Sequence, residues 1–276
     1  CHFFFSSTQY IFSQICGIIL LYLSNECSFA GETIMKRKKI ILVVILSILL
    51  LLVSAAVCFF QFHPYGYRMT VPYRHAFEKI EDNVYININY AGKKEEIIER
   101  IDDAKERGSA FFGELQLLII CDDERLLSRL GGDHDTYTST FPFKKNYISI
   151  SDEYLNVDIL AHEITHAELH SRLSVRALKN LPVWFDEGLA LQNDYREQYG
   201  LEAWIAQTDN GKNTVALAAM DEPSEFYAGT AEDRRFRYLN AKHEVSQWME
   251  THKYQGLLEL LDKLNDGEAF HTAYGE

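Results

Sequence analysis

Residues 40–60 form a run of 21 residues without a single charged side chain. A helix rises about 1.5 Å per residue, so this run can cross a hydrocarbon core of about 30 Å. In lipid the backbone must satisfy its own hydrogen bonds, which makes a helix the expected state. Lys36, Arg37, Lys38 and Lys39 stand directly before the run. Basic residues at the end of a span stay in the cytoplasm, so the chain that follows is expected outside. Residues 35–62 are therefore expected to be a signal-anchor helix, single-pass in a bacterial cell membrane. Two alternatives stay open. Cleavage near Ser54-Ala55-Ala56 would release the domain, and Cys58 could carry a lipid, although Val57 fits a lipobox poorly.

The chain starts with Cys1, its first methionine is Met35, and no Lys or Arg precedes Lys36. A methionine followed by a basic cluster and an apolar run is the layout of an export signal. Residues 1–34 are accordingly expected to be over-called upstream sequence. The alternative is that the apolar region 11–23 is a first membrane helix, making a hairpin with the same final orientation.

Downstream, Pro64, Gly66 and Pro72 suggest a linker over residues 63–82. Residues 83–276 then form one domain, large enough for a single core. Among its residues Cys121 is the only cysteine, so an internal disulfide is excluded. The net charge of −13 argues against a nucleic-acid partner, which needs a basic footprint. Oligomeric state is not readable from the chain.

Alternation of Val84, Ile86 and Ile88 predicts a strand over 83–90. Ile97, Ile98 and Ile101 predict a helix over 93–112. A strand over 115–121, a helix over 123–130 stopped by Gly131-Gly132, and strands over 136–141 and 145–151 follow. Asn156 is placed to cap a helix over 157–173, with Asp158 in its first turn. Further helices are expected over 182–195, 239–251 and 257–264. The pattern is α+β: a small mixed sheet first, then mostly helices.

His162-Glu163-Ile164-Thr165-His166 reads H-E-x-x-H inside a predicted helix. Residues four apart share a helix face, so both imidazoles can reach one ion. Zinc accepts imidazole nitrogen at about 2.0–2.1 Å in a tetrahedral set. Glu163 is offset around the helix and can serve as general base to an activated water. A lone motif of this kind also arises by chance in amphipathic helices. Here the preceding strand and the flanking Ile159, Leu160 and Leu169 argue for a buried helix. Twenty residues separate His166 from Glu187 in Trp184-Phe185-Asp186-Glu187-Gly188-Leu189-Ala190, which allows a returning helix to present Glu187 to the same ion. A catalytic zinc takes three protein ligands and keeps one open position. His170 would lie about 6 Å further along the helix and reads as surface or supporting shell.

H-E-x-x-H followed by Trp-x-x-Glu-Gly-x-Ala resembles the gluzincin metallopeptidases. It is closest to the small bacterial peptidase MA-like family, distant relatives of thermolysin and the aminopeptidases, over roughly residues 83–274. The resemblance implies a zincin-like fold, a Zn2+ cofactor on His162, His166 and Glu187, and Glu163 as catalytic base. Asp186 replaces an Asn common in relatives and is not expected to matter to ligation. Tyr238-Leu239-Asn240-Ala241, followed by Val245 and Trp248, is similar to a tyrosine-bearing helix of the family. It makes Tyr238 the candidate for stabilising the oxyanion, with His243 as runner-up. A core role for the Tyr238 ring is the competing reading.

The expected function is zinc-dependent hydrolysis of a peptide or protein substrate outside the membrane. The absence of a Gly-Ala-Met-Glu-Asn segment favours endopeptidase action. The alternative is a catalytically silent zincin-like domain used for binding or envelope sensing. Amino-terminal sequencing of the native protein checks the start site: no peptide from residues 1–34 is expected, and finding one refutes the assignment.

Overall fold

The computed structural model describes residues 32–108, 111, 113, 117–131, 137–140 and 146–275. The expectations for residues 1–31, including Cys1, Cys16, Cys27 and the 11–23 region, lie outside them. The chain divides into two compact units, Cys1–Gln61 and Phe62–Glu276.

In the first unit, α1 (Glu32–Phe62) contains a 24-residue apolar stretch, Lys39–Phe62, within which an 18-residue window has mean hydropathy 3.3 and no burial. Ile41, Leu46, Leu51 and Leu52 all stand exposed, on more than one side of the helix. A helix apolar all round and unburied among the described residues suits a lipid environment by length and composition.

The second unit begins earlier than expected. Residues 63–82 are folded: α2 (Pro64–Met69), a 3-10 turn over Val71–Tyr73 and β1 (Phe77–Glu81). Tyr67, Val71 and Phe77 are buried against Ile119, Cys121, Leu127 and Leu130. Pro64 and Pro72 sit in the first turns of their helices, where a missing N–H costs nothing. They start structure where their composition alone suggested a linker.

The sheet has five strands in the order β1-β2-β3-β5-β4. β2 (Val84–Asn87), β3 (Leu117–Cys121) and β5 (Asn146–Ser151) run parallel, while β1 and β4 (Tyr137–Thr140) are antiparallel edges. α3 (Lys94–Arg107) is the crossover between β2 and β3. Val84, Ile86, Leu118, Ile120, Ile148 and Ile150 face one way and meet Ile97 and Ile101 of α3. Ile119 and Cys121 face the other way, beneath α2 and α4 (Glu124–Leu130). β3 is thus covered on both faces, which explains its unbroken apolar run. Ile88 departs from expectation and is 58% exposed. The strand stops at Asn87, whose side chain exchanges hydrogen bonds with Asp122 (2.6 and 3.0 Å) and turns the chain away.

α5 (Val157–Arg172) lies on the α3 side of the sheet, with Leu160, Ala161, Ile164 and Ala167 in the same core. Beyond it the chain is helical: α6 (Val175–Lys179), α7 (Val183–Ala190), α8 (Leu201–Thr208), α9 (Pro223–Phe226), α10 (Ala231–Asp266) and α11 (Phe270–Tyr274). The two helices expected over 239–251 and 257–264 lie on either side of a kink within α10. α10 starts earlier, at a capping box made by Thr230 and Asp233, and breaks its helical geometry at Lys253 (φ 57°, ψ −172°). A second core joins α7 to α10 and α11, with Phe185 packed against Phe270 (ring centroids 5.0 Å) and Tyr274 (5.7 Å).

Gly188 is where α7 meets α10. A Cβ there would stand 2.5 Å from the Ala241 carbonyl oxygen and 2.7 Å from Val245 Cγ2. Gly188→Ala is therefore expected to destabilise the fold by about 1–3 kcal/mol through overpacking. Urea denaturation of the full chain in detergent measures this, and an unchanged midpoint refutes the close approach.

Candidate metal centre

Asn156 caps α5 by accepting from the Ile159 N–H at 2.9 Å. Asp158 in the first turn pairs with Arg107 at 2.5 Å and accepts from the Tyr195 N–H. This anchored helix presents His162 and His166 one turn apart, with rings edge to face at 4.7 Å. α7 runs into the same space. Its N-terminal end is tied by Val183 and Trp184 N–H bonds to the carbonyls of Asp221 and Met220, and by the Trp184 indole donating to Asp221. Glu187, one turn in, is thereby aimed at the two histidines.

Three atoms converge. His162 Nε2 and His166 Nε2 are 3.1 Å apart, and each is 3.4 Å from Glu187 Oε2. A tetrahedral ion with ligands at about 2.0–2.1 Å requires ligand–ligand edges of about 3.3 Å. The triangle has the size that one zinc ion would span. Glu187 Oε2 is also a buried oxygen without a hydrogen-bond donor. Its other oxygen, Oε1, accepts from the Tyr227 hydroxyl at 2.5 Å. The carboxylate is split between a held oxygen and one left for a cation, and the residues present fit such an ion.

Asp186 is more important than its sequence position suggested. Oδ1 lies 2.6 Å from His166 Nδ1 and Oδ2 lies 2.7 Å from His170 Nε2. A carboxylate on the far nitrogen of a ligating imidazole fixes its tautomer and orientation. Asp in place of Asn was not expected to matter to ligation; the side chain at 186 reaches back across the helix pair to His166 and His170. His170 is not one of the three converging groups but belongs to this support.

Charge follows the geometry. Burial disfavours the His166 imidazolium, yet Asp186 and Glu187 outweigh it and hold its pKa well above the ordinary value. Burial acts against ionised Asp186 and Glu187 as well, and the histidines beside them keep both far below the usual carboxylate range. The cluster is built to hold positive charge.

Glu163 and Tyr238 line the same cleft of about 620 Å³ as the three converging residues. The Thr138 hydroxyl, from edge strand β4, donates to the Glu163 carboxylate and holds it in place. Tyr238 lies against Phe226 (5.0 Å) and Tyr199 (5.8 Å). Burial, then Glu187, Tyr199 and Glu163, push its pKa up, so the phenol keeps its proton. His243 is elsewhere: it stacks on Trp204 at 3.5 Å and is not among the cleft residues, so it is corrected out of the site. Tyr227, Arg196, Asp194 and Thr138 complete the surroundings. No spacing rule pointed to them, because they come from three separate segments.

Asp186→Ala is expected to weaken zinc binding about 10–100-fold, and Glu187→Ala still more, in competition with a chromophoric chelator. Unchanged affinity in Glu187→Ala would place the third ligand elsewhere. Comparison with family models, curated proteins and solved structures gives no match to this chain.

Proposed function

We propose that this chain is a zinc-dependent metallopeptidase of the gluzincin type, anchored by α1, that hydrolyses peptide bonds outside the membrane. The observation that carries the reading is the triangle of His162, His166 and Glu187 atoms, with edges of 3.1–3.4 Å, in one cleft with Glu163. The basic residues before α1 support the orientation.

Zinc held there would polarise the scissile carbonyl and activate a water. The remaining work belongs to the chain. Glu163, fixed by Thr138, accepts a proton from the water as its oxygen bonds to the carbonyl carbon. It then returns that proton to the departing amine as the C–N bond breaks. Asp186 keeps His166 in its ligating orientation, and Tyr227 does the same for Glu187. Tyr238 differs from Tyr227 in one respect. Its hydroxyl makes no hydrogen bond among the described residues, so it is the phenol available to donate to the developing oxyanion.

Full-length protein in detergent should hold about one zinc per chain by elemental analysis. Folded protein that takes up no zinc refutes the centre. Glu163→Gln should keep zinc and lose about 10²–10⁴-fold in kcat/KM on an internally quenched peptide, and retained hydrolysis refutes the assigned base. Proton and zinc compete for His166, whose pKa stands above that of a free imidazole. Zinc occupancy should therefore fall on acidification, starting at a higher pH than an unperturbed histidine pair would give.

A further inference from the structure

Among the described residues lining the cleft, Arg196 is the one permanently charged cation. It is held by Asp194, whose side chain is wholly buried. Arg196 Nε donates to both Asp194 oxygens (2.9 and 3.0 Å) and Nη2 donates to Oδ2 at 2.5 Å. Asp194 Oδ1 also accepts the Arg196 backbone N–H, and the Asp194 carbonyl accepts from Lys242. The Tyr199 ring lies 5.1 Å from the guanidinium carbon. This is a rigid mount, with its carboxylate sealed behind and its cation 32% exposed in front.

A guanidinium has five donors in a planar fork. Asp194 occupies the edge formed by Nε and Nη2. Nη1 donates to no described residue, and Arg196 lines the cleft. The mount also adjoins the proposed metal centre, because Asp194 Oδ2 stands 3.8 Å from His162 Nδ1. Arg196 and the three converging residues line one cleft, so a substrate lying across the centre shares that cleft with the guanidinium.

We propose that Arg196, mounted on Asp194, forms a subsite for a substrate carboxylate in the cleft that holds the proposed metal centre. This rests on the peptidase reading above. The carboxylate is either the C-terminus of a peptide or an Asp or Glu side chain. Both present the planar pair of oxygens that a guanidinium edge reads best.

The test uses full-length zinc-loaded protein and two sets of peptides sharing one core. One set pairs the free acid with the C-terminal amide. The other exchanges Glu for Gln at each position flanking the cleaved bond. Binding to Glu163→Gln is read by fluorescence anisotropy, and turnover by the unmodified enzyme. A charged hydrogen bond predicts a preference of about tenfold or more for the carboxylate member of one set, in Kd and in kcat/KM. Preference within the acid–amide set identifies the C-terminus, and preference within the Glu–Gln set identifies a side chain. Arg196→Lys keeps a charge for Asp194 but spends it there, so the preference should fall below about twofold. Equal binding of both members in every set overturns the subsite, as does a full preference surviving in folded Arg196→Lys. If Arg196→Lys does not fold, the unmodified sequence still decides through the peptide pairs. Carboxylate-selective binding without any turnover refutes the peptidase reading and leaves the subsite standing. Turnover without selectivity does the reverse.

Discussion

Everything at the candidate centre depends on how closely α7 is pressed between α5 and α10. The two histidines belong to one helix and would face the same way whatever the rest of the chain did. Glu187 does not share that helix, and its Oε2 reaches 3.4 Å from both imidazoles only because α7 has no room to sit elsewhere. On the α10 side Gly188 removes the one side chain that would hold the helices apart. At the N-terminal end of α7, Trp184 and Phe185 are both fully buried, and Asp221 takes the indole hydrogen. The ligand is positioned by apolar packing and a missing methyl group, and the electrostatics follow from that placement.

Those electrostatics are severe. Glu163, Asp186, Glu187 and Asp194 all lie close together with little exposure, and a buried carboxylate is tolerable only when paired. Asp194 is answered by Arg196, Asp186 by two histidines, and Glu163 by the Thr138 hydroxyl. Glu187 has Tyr227 on one oxygen and the two Nε2 atoms facing the other. Either a proton on His166 or a divalent cation can answer this field, and both bind to the same nitrogen. At the proposed metal centre the two would compete for that nitrogen.

The legible part of this molecule was the part written in periodicity and local chemistry. The covered sheet followed from the apolar run at 115–121 and the alternation of Ile148 and Ile150 with Tyr147, Ser149 and Ser151, α5 from Asn156 and its apolar face, and the histidine pair from spacing alone. The α+β class follows from these segments together. Residues 63–82 were misread because Pro64 and Pro72 look like linker punctuation, and nothing local reveals that Tyr67 and Val71 meet β3. Asp186 was undervalued for a similar reason. Its neighbour Glu187 fitted a pattern, while its own partners, His166 and His170, lie across a helix pair. The segment between Tyr195 and Thr230 carried no strong period, being built of short turns such as Glu197–Tyr199 and Leu217–Ala219.

That weakly patterned segment supplies much of the cleft wall. Arg196, Tyr199 and Tyr227 all come from it, while the residues proposed for the reaction come from α5, α7 and the start of α10. The division has a physical reason. Ligands and base must be held to a few tenths of an ångström, which packed helices can do and short turns cannot. A wall that meets substrate needs reach and variety of side chains, which short turns provide. His162, His166, Glu187 and Glu163 would then be common to any chain using this centre for hydrolysis. Arg196 on its Asp194 mount is where this chain would differ in what it accepts.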